Sequence, residues 1–193
     1  MRTIAQLKIA QFLHKMYNLY MKNIIVISGK QYSGKDTLAK ILLEDLTDFS
    51  RVGIGDAIKI QYAKENNLTF EEIEKNKHLY RADLIKLGNK GRAIDSDYWL
   101  NSIINMPNNI IVPDIRVEHE AELFRNNGAY LIRVEASYEI RSKRAVITNE
   151  NDPTETALDN YKHWHCIVEN NSDFDTLCKK AKEIVPKIKE FFN

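Results

Sequence analysis

Two glycines and a lysine follow an apolar run near the start of the chain, in the stretch VISGKQYSGKDT from Val26 to Thr37. Gly29 and Gly34 have the spacing of a loop whose backbone N–H groups turn inward around a phosphate, and Lys35 would place a cation at the outer phosphates. The following helix would add its positive N-terminus. The predicted phosphate-binding residues are Gly29, Lys30, Ser33, Gly34, Lys35, Asp36 and Thr37.

The residue after the loop lysine is unusual, because Asp36 stands where such loops ordinarily carry a serine or threonine hydroxyl for Mg²⁺. A carboxylate can bind this hard cation directly or through water. We therefore expect Mg²⁺ dependence to persist with a changed coordination. Lys35 and Asp36 are predicted to be catalytic, and Asp36 is predicted to be a metal ligand.

Further charged residues lie where phosphoryl transfer would use them. Asp114 and Arg116 directly follow a buried strand, so Arg116 could hold an acceptor phosphate and Asp114 the metal or its waters. Arg141 and Arg144 are three residues apart on one helix face and could close over the transferring group on a lid. Two alternatives without a catalytic role stay open. Asp114 and Arg116 could form an ion pair that caps the next helix, and Arg141 and Arg144 could belong to a solvated basic helix face.

The cluster HWHC, from His163 to Cys166, suggests a metal site at first sight. Zinc takes four ligands at one point, and the sequence has no second pair of candidates at ligand spacing. We therefore predict surface histidines and a core Cys166. The chain has only two cysteines, Cys166 and Cys178, which suits a reducing compartment.

Length and charge limit the class of protein. A chain of 193 residues can bury one sizeable core, so residues 21–193 are predicted to form a single domain. The formal net charge of +1 argues against nucleic acid or an anionic membrane as the main partner. No apolar segment approaches the roughly 20 residues that span a bilayer. We predict a cytoplasmic monomer whose partner is a small molecule.

Residues 1–20 contain no acidic residue and repeat apolar residues at helical spacing. They are predicted to form an amphipathic helix appended to the domain. Two alternatives stay open. The segment could be an organelle-targeting helix, or the start could be assigned too far upstream, since MKNIIVIS at Met21 resembles a natural beginning.

Strand and helix patterns alternate from Asn23 onward. The predicted strands are NIIVIS, FSRVGIG, NNIIVPDIR ending at Pro113, AYLIRVEA and HWHCIVEN. The predicted helices are DTLAKILLEDL, segments between Asp56 and Met106 broken near Asn66, Gly88 and Gly91, then VEHEAELFRNNG, YEIRSKRAVI and Phe174 to Phe192. This alternation predicts a three-layer α/β fold with a mostly parallel central sheet, whose ligand lies beyond the carboxyl ends of the strands.

The motifs SGKQYSGKD, IKIQYAKENNLTF, YRADLIKLGNKGR, VPDIR and ALDNYKHWHCIVEN are collinear with those of a known family from Met21 onward. In them the chain resembles the animal-type phosphomevalonate kinases, small P-loop kinases in which a lysine–aspartate loop is usual. The resemblance implies a helical lid, ATP and Mg²⁺ as cofactors, and a phosphorylated small-molecule acceptor. It places Arg81 and Arg92 in the acceptor site, and Lys59 is a further candidate there.

The chain also resembles the phage-type deoxynucleoside monophosphate kinases, in SGKDTLA, DYWL and PDIRVEHEAELFRNNGAYLIRV. Gln31 and Tyr32 stand where the animal-type enzymes have basic residues, and Val117 replaces the second member of their arginine doublet. Phosphomevalonate and a nucleoside monophosphate are therefore both open as acceptor. A nucleotide-binding regulatory module without an acceptor is an alternative of another class, although the guanine-binding motif of GTPases is absent.

Overall fold

The computed structural model describes residues 22–148 and 150–193, so the helix predicted over residues 1–20 lies outside the described residues. The strands are β1 (Ile24–Ser28), β2 (Phe49–Arg51), β3 (Asn109–Ile115), β4 (Tyr130–Glu135) and β5 (Cys166–Glu169). They form one five-stranded sheet in the order β2-β3-β1-β4-β5. Every neighbouring pair is parallel, which confirms the predicted sheet.

Nine helices connect and cover the strands in the described part of the chain. They are α1 (Lys35–Asp45), α2 (Ile54–Asn66), α3 (Phe70–Lys75), α4 (Lys77–Ile94), α5 (Tyr98–Ile104), α6 (Glu118–Asn126), α7 (Tyr138–Arg144), α8 (Pro153–Thr156) and α9 (Phe174–Phe192). None of these nine combines the length and apolar character that spanning a bilayer requires.

The core has two halves, one on each face of the sheet. In β1, Ile24 and Val26 face a cluster completed by α2, α4, α5 and α6. The alternate residues Ile25 and Ile27 face a second cluster completed by α1 and α9. Successive side chains of a strand point to opposite faces, so a strand apolar at every position is buried on both. This arrangement confirms the predicted three-layer α/β fold.

β3 continues through Pro113 to Ile115, which corrects the prediction that the strand ends at the proline. Val26 pairs with Val112 and Ser28 pairs with Ile115, so β3 has one more residue than β1 between these two pairs. Such a bulge is one of the places where a strand accepts a residue without a backbone N–H. Asp114 lies one residue before the carboxyl end of the strand.

Helix α4 is continuous, so the breaks predicted at Gly88 and Gly91 are wrong. A Cβ added to Gly91 would lie 2.6 Å from Nε1 of Trp99. The same indole nitrogen donates a hydrogen bond to the carbonyl oxygen of Gly88 at 2.9 Å. Both glycines therefore serve the close packing of α5 on α4. The break predicted near Asn66 is confirmed, because α2 ends there and Asn67 has a φ of 54°.

Three other elements are shorter than predicted. β2 has only three residues, and α7 ends at Arg144 instead of continuing to Ile147. β5 begins at Cys166; the preceding His165 accepts the N–H of Leu131 at Nδ1 at 2.9 Å, and its own N–H donates to the carbonyl oxygen of Leu131 at 3.0 Å. His163 and His165 are exposed, as predicted. Cys166 is only partly buried, at the margin of the second core cluster.

Candidate active site

The loop between β1 and α1 has the backbone that its glycines predict. Gly34 has a φ of 101°, in the left-handed region, and a Cβ there would lie 2.3 Å from Nδ2 of Asn170. A Cβ on Gly29 would lie 2.6 Å from the carbonyl oxygen of Val134. Side chains are therefore excluded at both positions, at the first by backbone conformation as well.

A cavity of about 760 Å³ opens beside this loop, and we call it the phosphate cavity. Its volume lies in the range of small-molecule sites. One wall consists of Gln31, Tyr32, Gly34, Lys35, Asp36, Thr37, Arg116, Arg144 and Thr148. The other consists of Asn170, Ser172, Asp173, Phe174 and Leu177. The structure thus brings six of the predicted site residues to one cavity at the carboxyl ends of the strands.

Lys35 is a buried cation in the wall of this cavity, with 7% of its surface exposed. Burial lowers the pKa of Lys35, and the neighbouring Arg116 lowers it further, while the carboxylates of Asp36 and Glu155 act in the opposite direction. Charges interact strongly where water is scarce. A phosphate entering the cavity would therefore gain an interaction with Lys35 that a solvated lysine could not provide.

The two predicted metal ligands, Asp36 and Asp114, differ in the exposure and hydrogen-bond partners of their carboxylates. The side chain of Asp36 is 56% exposed, and its carboxylate lies 3.2 Å from Arg51. Both carboxylate oxygens of Asp114 lie close to the N–H of Ile54, at 3.1 and 3.0 Å. Burial raises the pKa of Asp114, and the Ile54 N–H opposes this effect.

Residues 22–148 and 150–193 contain no group of three or more His, Cys, Asp or Glu side chains that could hold a metal ion. Mg²⁺ at phosphoryl-transfer sites ordinarily takes one or two carboxylates together with substrate phosphates, and it keeps several waters. Asp36 meets that requirement from the wall of the phosphate cavity. Bound Mg²⁺ would neutralise charge on the phosphates of ATP.

We expect Asp36→Asn to raise the Mg²⁺ concentration needed for half-maximal turnover about fivefold, because a neutral amide is a poorer ligand for Mg²⁺. The KM for ATP should change by less than about twofold, since the predicted role of Asp36 is to hold the metal and not the nucleotide. A Mg²⁺ titration at saturating ATP measures the effect. The control is Asp45→Asn, an exposed carboxylate at the other end of α1. An unchanged titration would leave Asp36 as a residue that only stabilises the N-terminus of α1.

Two residues predicted to bind phosphate, Lys30 and Ser33, are not among those that line the phosphate cavity. Lys30 Nζ lies 2.7 Å from Asp159, which also pairs with Arg133. Ser33 is 1% exposed, and its N–H already donates to the carbonyl oxygen of Lys30. Local charge pairing and burial override the tendency of a loop cation to face a phosphate.

The two arginines predicted to lie on a lid, Arg141 and Arg144, donate hydrogen bonds to backbone carbonyl oxygens of the loop. Arg144 donates to the carbonyl oxygens of Tyr32 at 2.9 Å, Ser33 at 3.1 Å and Asn170 at 2.8 Å. Arg141 is 3% exposed; it donates to the carbonyl oxygen of Gln31 at 3.3 Å and pairs with Glu150. Arg144 also lines the phosphate cavity, whereas Arg141 does not. A catalytic role for Arg144 therefore passes at least in part through the loop.

A second cavity of about 470 Å³ lies on the other side of Arg51, and we call it the acceptor cavity. Its lining includes four predicted substrate residues, Lys59, Arg81, Arg92 and Asp114, together with Arg51, Asp56, Glu74 and Lys77. Arg116, expected with them, lines the phosphate cavity instead. The linings of the two cavities are adjacent, because Asp36 of the first contacts Arg51 of the second, and Arg116 and Asp114 at the end of β3 line one cavity each.

The cations of the acceptor cavity fall into two groups. Lys59 lies 2.8 Å from Asp56 and also contacts Glu74; burial opposes its charge, but these hydrogen bonds raise the pKa of Lys59 overall. Lys59 is therefore already neutralised. Lys77, Arg81 and Arg92 form no ion pair with another described residue. Their positive charge remains for a ligand.

We did not predict Glu155 or Asn170 as site residues from the sequence, and we did not predict that Gln31 contacts both Glu155 and Thr148. Glu155 is 5% exposed, accepts the N–H of Gln31 at 2.7 Å and pairs with Arg116. Asn170 donates through Nδ2 to the carbonyl oxygen of Ser33 at 2.8 Å. Asn170 follows the last strand and so lies at the ligand edge of the sheet. This position could have identified Asn170 as a candidate site residue from the sequence. Nothing in the sequence distinguishes Glu155 from other surface carboxylates.

Two family models match the chain. The first, described as phosphomevalonate kinase, covers residues 27–130, which is more than half of the sequence. The chain belongs to the phosphomevalonate kinase family. The second, described as deoxynucleotide monophosphate kinase, covers residues 91–181. Both descriptions are of small-molecule kinases, so this phosphomevalonate kinase family member is a small-molecule kinase. P-loop kinases of this kind use ATP, usually with Mg²⁺. Membership in the animal-type branch stays a prediction.

Solved structures share the fold of this kinase at low sequence identity. A gluconokinase from Sinorhizobium meliloti 1021 has a TM-score of 0.52 and 11% identity, over 89% of this chain and 95% of that one. A shikimate kinase from Bacteroides thetaiotaomicron has a TM-score of 0.51 and 13% identity, over 86% and 98%. Such likeness shows the fold alone. No curated protein sequence matches the chain.

Proposed function

We propose that the protein transfers the γ-phosphate of ATP to 5-phosphomevalonate, giving 5-diphosphomevalonate and ADP. The observation that carries this proposal is the lining of the acceptor cavity. Among the described residues, it presents Lys77, Arg81 and Arg92 without ion-pair partners and has no aromatic lining residue. Phosphomevalonate has a phosphate at one end, a carboxylate at the other and no ring to stack. A small cationic cavity without aromatic residues suits such an acceptor.

The reaction proposed here depends on positioning and charge neutralisation. The nucleotide phosphates would occupy the phosphate cavity, where Lys35 and the N-terminus of α1 meet their negative charge. Arg116, in the wall of the same cavity at the end of β3, would hold the acceptor phosphate that receives the γ-phosphoryl group. The acceptor body would extend past Asp114 into the acceptor cavity.

A deoxynucleoside monophosphate is the second candidate acceptor. The match of residues 91–181 to a deoxynucleotide monophosphate kinase model favours it. The nonaromatic lining of the acceptor cavity opposes it, because base recognition commonly uses stacking on aromatic side chains.

An acceptor panel tests the proposal. Purified protein with ATP and Mg²⁺ is assayed for ADP release with 5-phosphomevalonate, with the four common deoxynucleoside monophosphates and with no acceptor. We expect release that depends on 5-phosphomevalonate, with the diphosphate product identified by ³¹P NMR. Release with a deoxynucleotide alone would establish the second candidate. ADP release independent of every acceptor would contradict both. We also propose that the protein is a cytoplasmic monomer. Light scattering would measure its oligomeric state.

The unpaired cations of the acceptor cavity supply a specific prediction. Arg81→Ala and Arg92→Ala should each raise the KM for the acceptor about fivefold and change turnover by less than about twofold, because each removes a contact made equally in ground and transition states. Steady-state kinetics measure both constants. The control is Lys86→Ala, an exposed cation on the same helix outside the cavity. Equal KM values in all three variants would remove these arginines from the acceptor site.

A further inference from the structure

Glu155 is a buried carboxylate with both oxygens occupied. It lies on α8, and 5% of its surface is exposed. Oε2 accepts the N–H of Gln31, in the phosphate loop, at 2.7 Å. Oε1 accepts from Nη1 of Arg116. A buried charge is retained only where such partners compensate its desolvation.

Arg116 has both a buried and an open side. Its side chain is 33% exposed, against 4% for its partner Glu155. Only Nη1 is used by Glu155, and Arg116 lines the phosphate cavity. A guanidinium carries five N–H donors in a fixed plane, so fixing one nitrogen sets the direction of the others. Glu155 therefore determines which way the free donors of Arg116 point.

Gln31 attaches the chain between α7 and α8 to the phosphate loop. Its Nε2 donates to the carbonyl oxygen of Thr148 at 2.9 Å, and its Oε1 accepts the N–H of Thr148 at 3.3 Å. This exchange needs a side chain that both donates and accepts, which an amide does and a lysine or arginine does not. Gln31 stands where the animal-type enzymes have a basic residue. Gln31, in place of a basic residue, thus helps to fix the segment that carries Glu155.

From these contacts we propose that Glu155 is a positioning residue for Arg116. It orients the guanidinium toward the phosphate cavity, ready for the acceptor phosphate, and ties that orientation to the phosphate loop through the N–H of Gln31. This inference rests on the proposed function, because it concerns the phosphate of the acceptor. Glu155 lines neither the phosphate cavity nor the acceptor cavity, so it would act through Arg116.

Glu155→Gln tests the proposal with little change of volume. The amide oxygen can still accept the N–H of Gln31, while the charge opposite Arg116 is lost. We expect the KM for 5-phosphomevalonate to rise about tenfold, with turnover and the KM for ATP within about twofold of the unmodified protein, because a ground-state contact is misaligned. Glu155→Asp restores the charge and should recover part of the loss. Thermal unfolding followed by circular dichroism checks that each variant is folded.

A double-mutant cycle separates positioning from general loosening of the structure. Arg116→Ala should itself raise the KM for the acceptor, and adding Glu155→Gln to it should change that KM no further. The matched comparison is Glu150→Gln, because Glu150 lies in the same segment but pairs with Arg141. It should leave the acceptor KM unchanged. Additive effects of Glu155→Gln and Arg116→Ala, or an equal rise in Glu150→Gln, would overturn the proposal.

A binding measurement keeps the inference distinct from the identity of the acceptor. With ADP and Mg²⁺ at saturation to fill the phosphate loop, inorganic phosphate is titrated and followed by ³¹P NMR. We expect Glu155→Gln and Arg116→Ala to weaken its binding to a similar extent. If no acceptor of the panel is turned over but this result holds, the proposed function fails and the positioning role stands. Phosphate affinity unchanged in Glu155→Gln overturns the positioning role whatever the acceptor is.

Discussion

Lys35→Met is expected to lower turnover at least about a hundredfold in a protein that remains folded. The methionine side chain approximates the length of the lysine and removes its charge. Lys35 is nearly buried in the wall of the phosphate cavity, where a preorganised charge contact with the transferring phosphates is worth about 2.7–4 kcal/mol. The measurement is the steady-state rate at saturating ATP and acceptor.

The matched control for this variant is Lys40→Met, at an exposed position of the same helix. It removes one lysine charge from α1 without touching the cavity, so its turnover should stay within about twofold of the unmodified protein. Near-normal turnover of a folded Lys35→Met protein would contradict phosphoryl transfer at this loop. A melting temperature below the assay temperature in Lys35→Met alone would show that unfolding caused the loss.

Arg144→Ala is expected to lower turnover about thirtyfold, equivalent to about 2 kcal/mol. The guanidinium joins three carbonyl oxygens, those of Tyr32, Ser33 and Asn170. Removing it leaves the carbonyl oxygens of Tyr32 and Ser33 without this support, so the N–H groups of the loop lose their fixed geometry. Preorganised donors stabilise the transition state because they need no rearrangement during the reaction. Turnover should therefore fall more than the affinity for ATP.

Two variants define what Arg144 does. Arg144→Lys keeps the charge but has one nitrogen where the arginine uses two, so it should recover less than half of the lost activation free energy. Lys143→Ala removes a neighbouring exposed cation and should leave turnover unchanged within about twofold. Full turnover in a folded Arg144→Ala protein would return the basic helix α7 to the role of a solvated surface.

The sequence predicted the layered fold well because its signals are local. A strand that is apolar at every position, a glycine-rich turn and an acidic first helical turn each act over a few residues, and β1 and α1 follow them closely. The parallel sheet then follows from the alternation of strand and helix. Such information needs no knowledge of distant partners.

The predictions of local structure failed where a residue distant in sequence determines the local conformation. Glycines 88 and 91 are poor helix residues by propensity, yet Trp99 packs on them and the helix continues. A proline usually ends a strand, yet a bulge opposite β1 accommodates Pro113. In both cases tertiary packing outweighs a local preference of about 1–3 kcal/mol.

The candidate site was predicted as a set of charges without their directions. The structure places Lys35, Asp36 and Arg116 in the wall of one cavity and Arg81 and Arg92 in the wall of the next, and their roles in binding and catalysis stay predictions. Pairing could not be predicted, since it depends on residues far away in sequence. Lys30 turns to Asp159, and the arginines of α7 turn to loop carbonyls for the same reason.

The short outer strands of the sheet have a consequence for colloidal behaviour. In the described part of the chain, β2 has three residues and β5 has four, whereas the inner strands β3 and β4 have seven and six. Unpaired backbone groups along a sheet margin invite pairing with another chain, and shortening that margin limits such association. Each margin here offers only a few such groups. Concentrated stocks should therefore resist the strand-to-strand aggregation to which long open margins are prone.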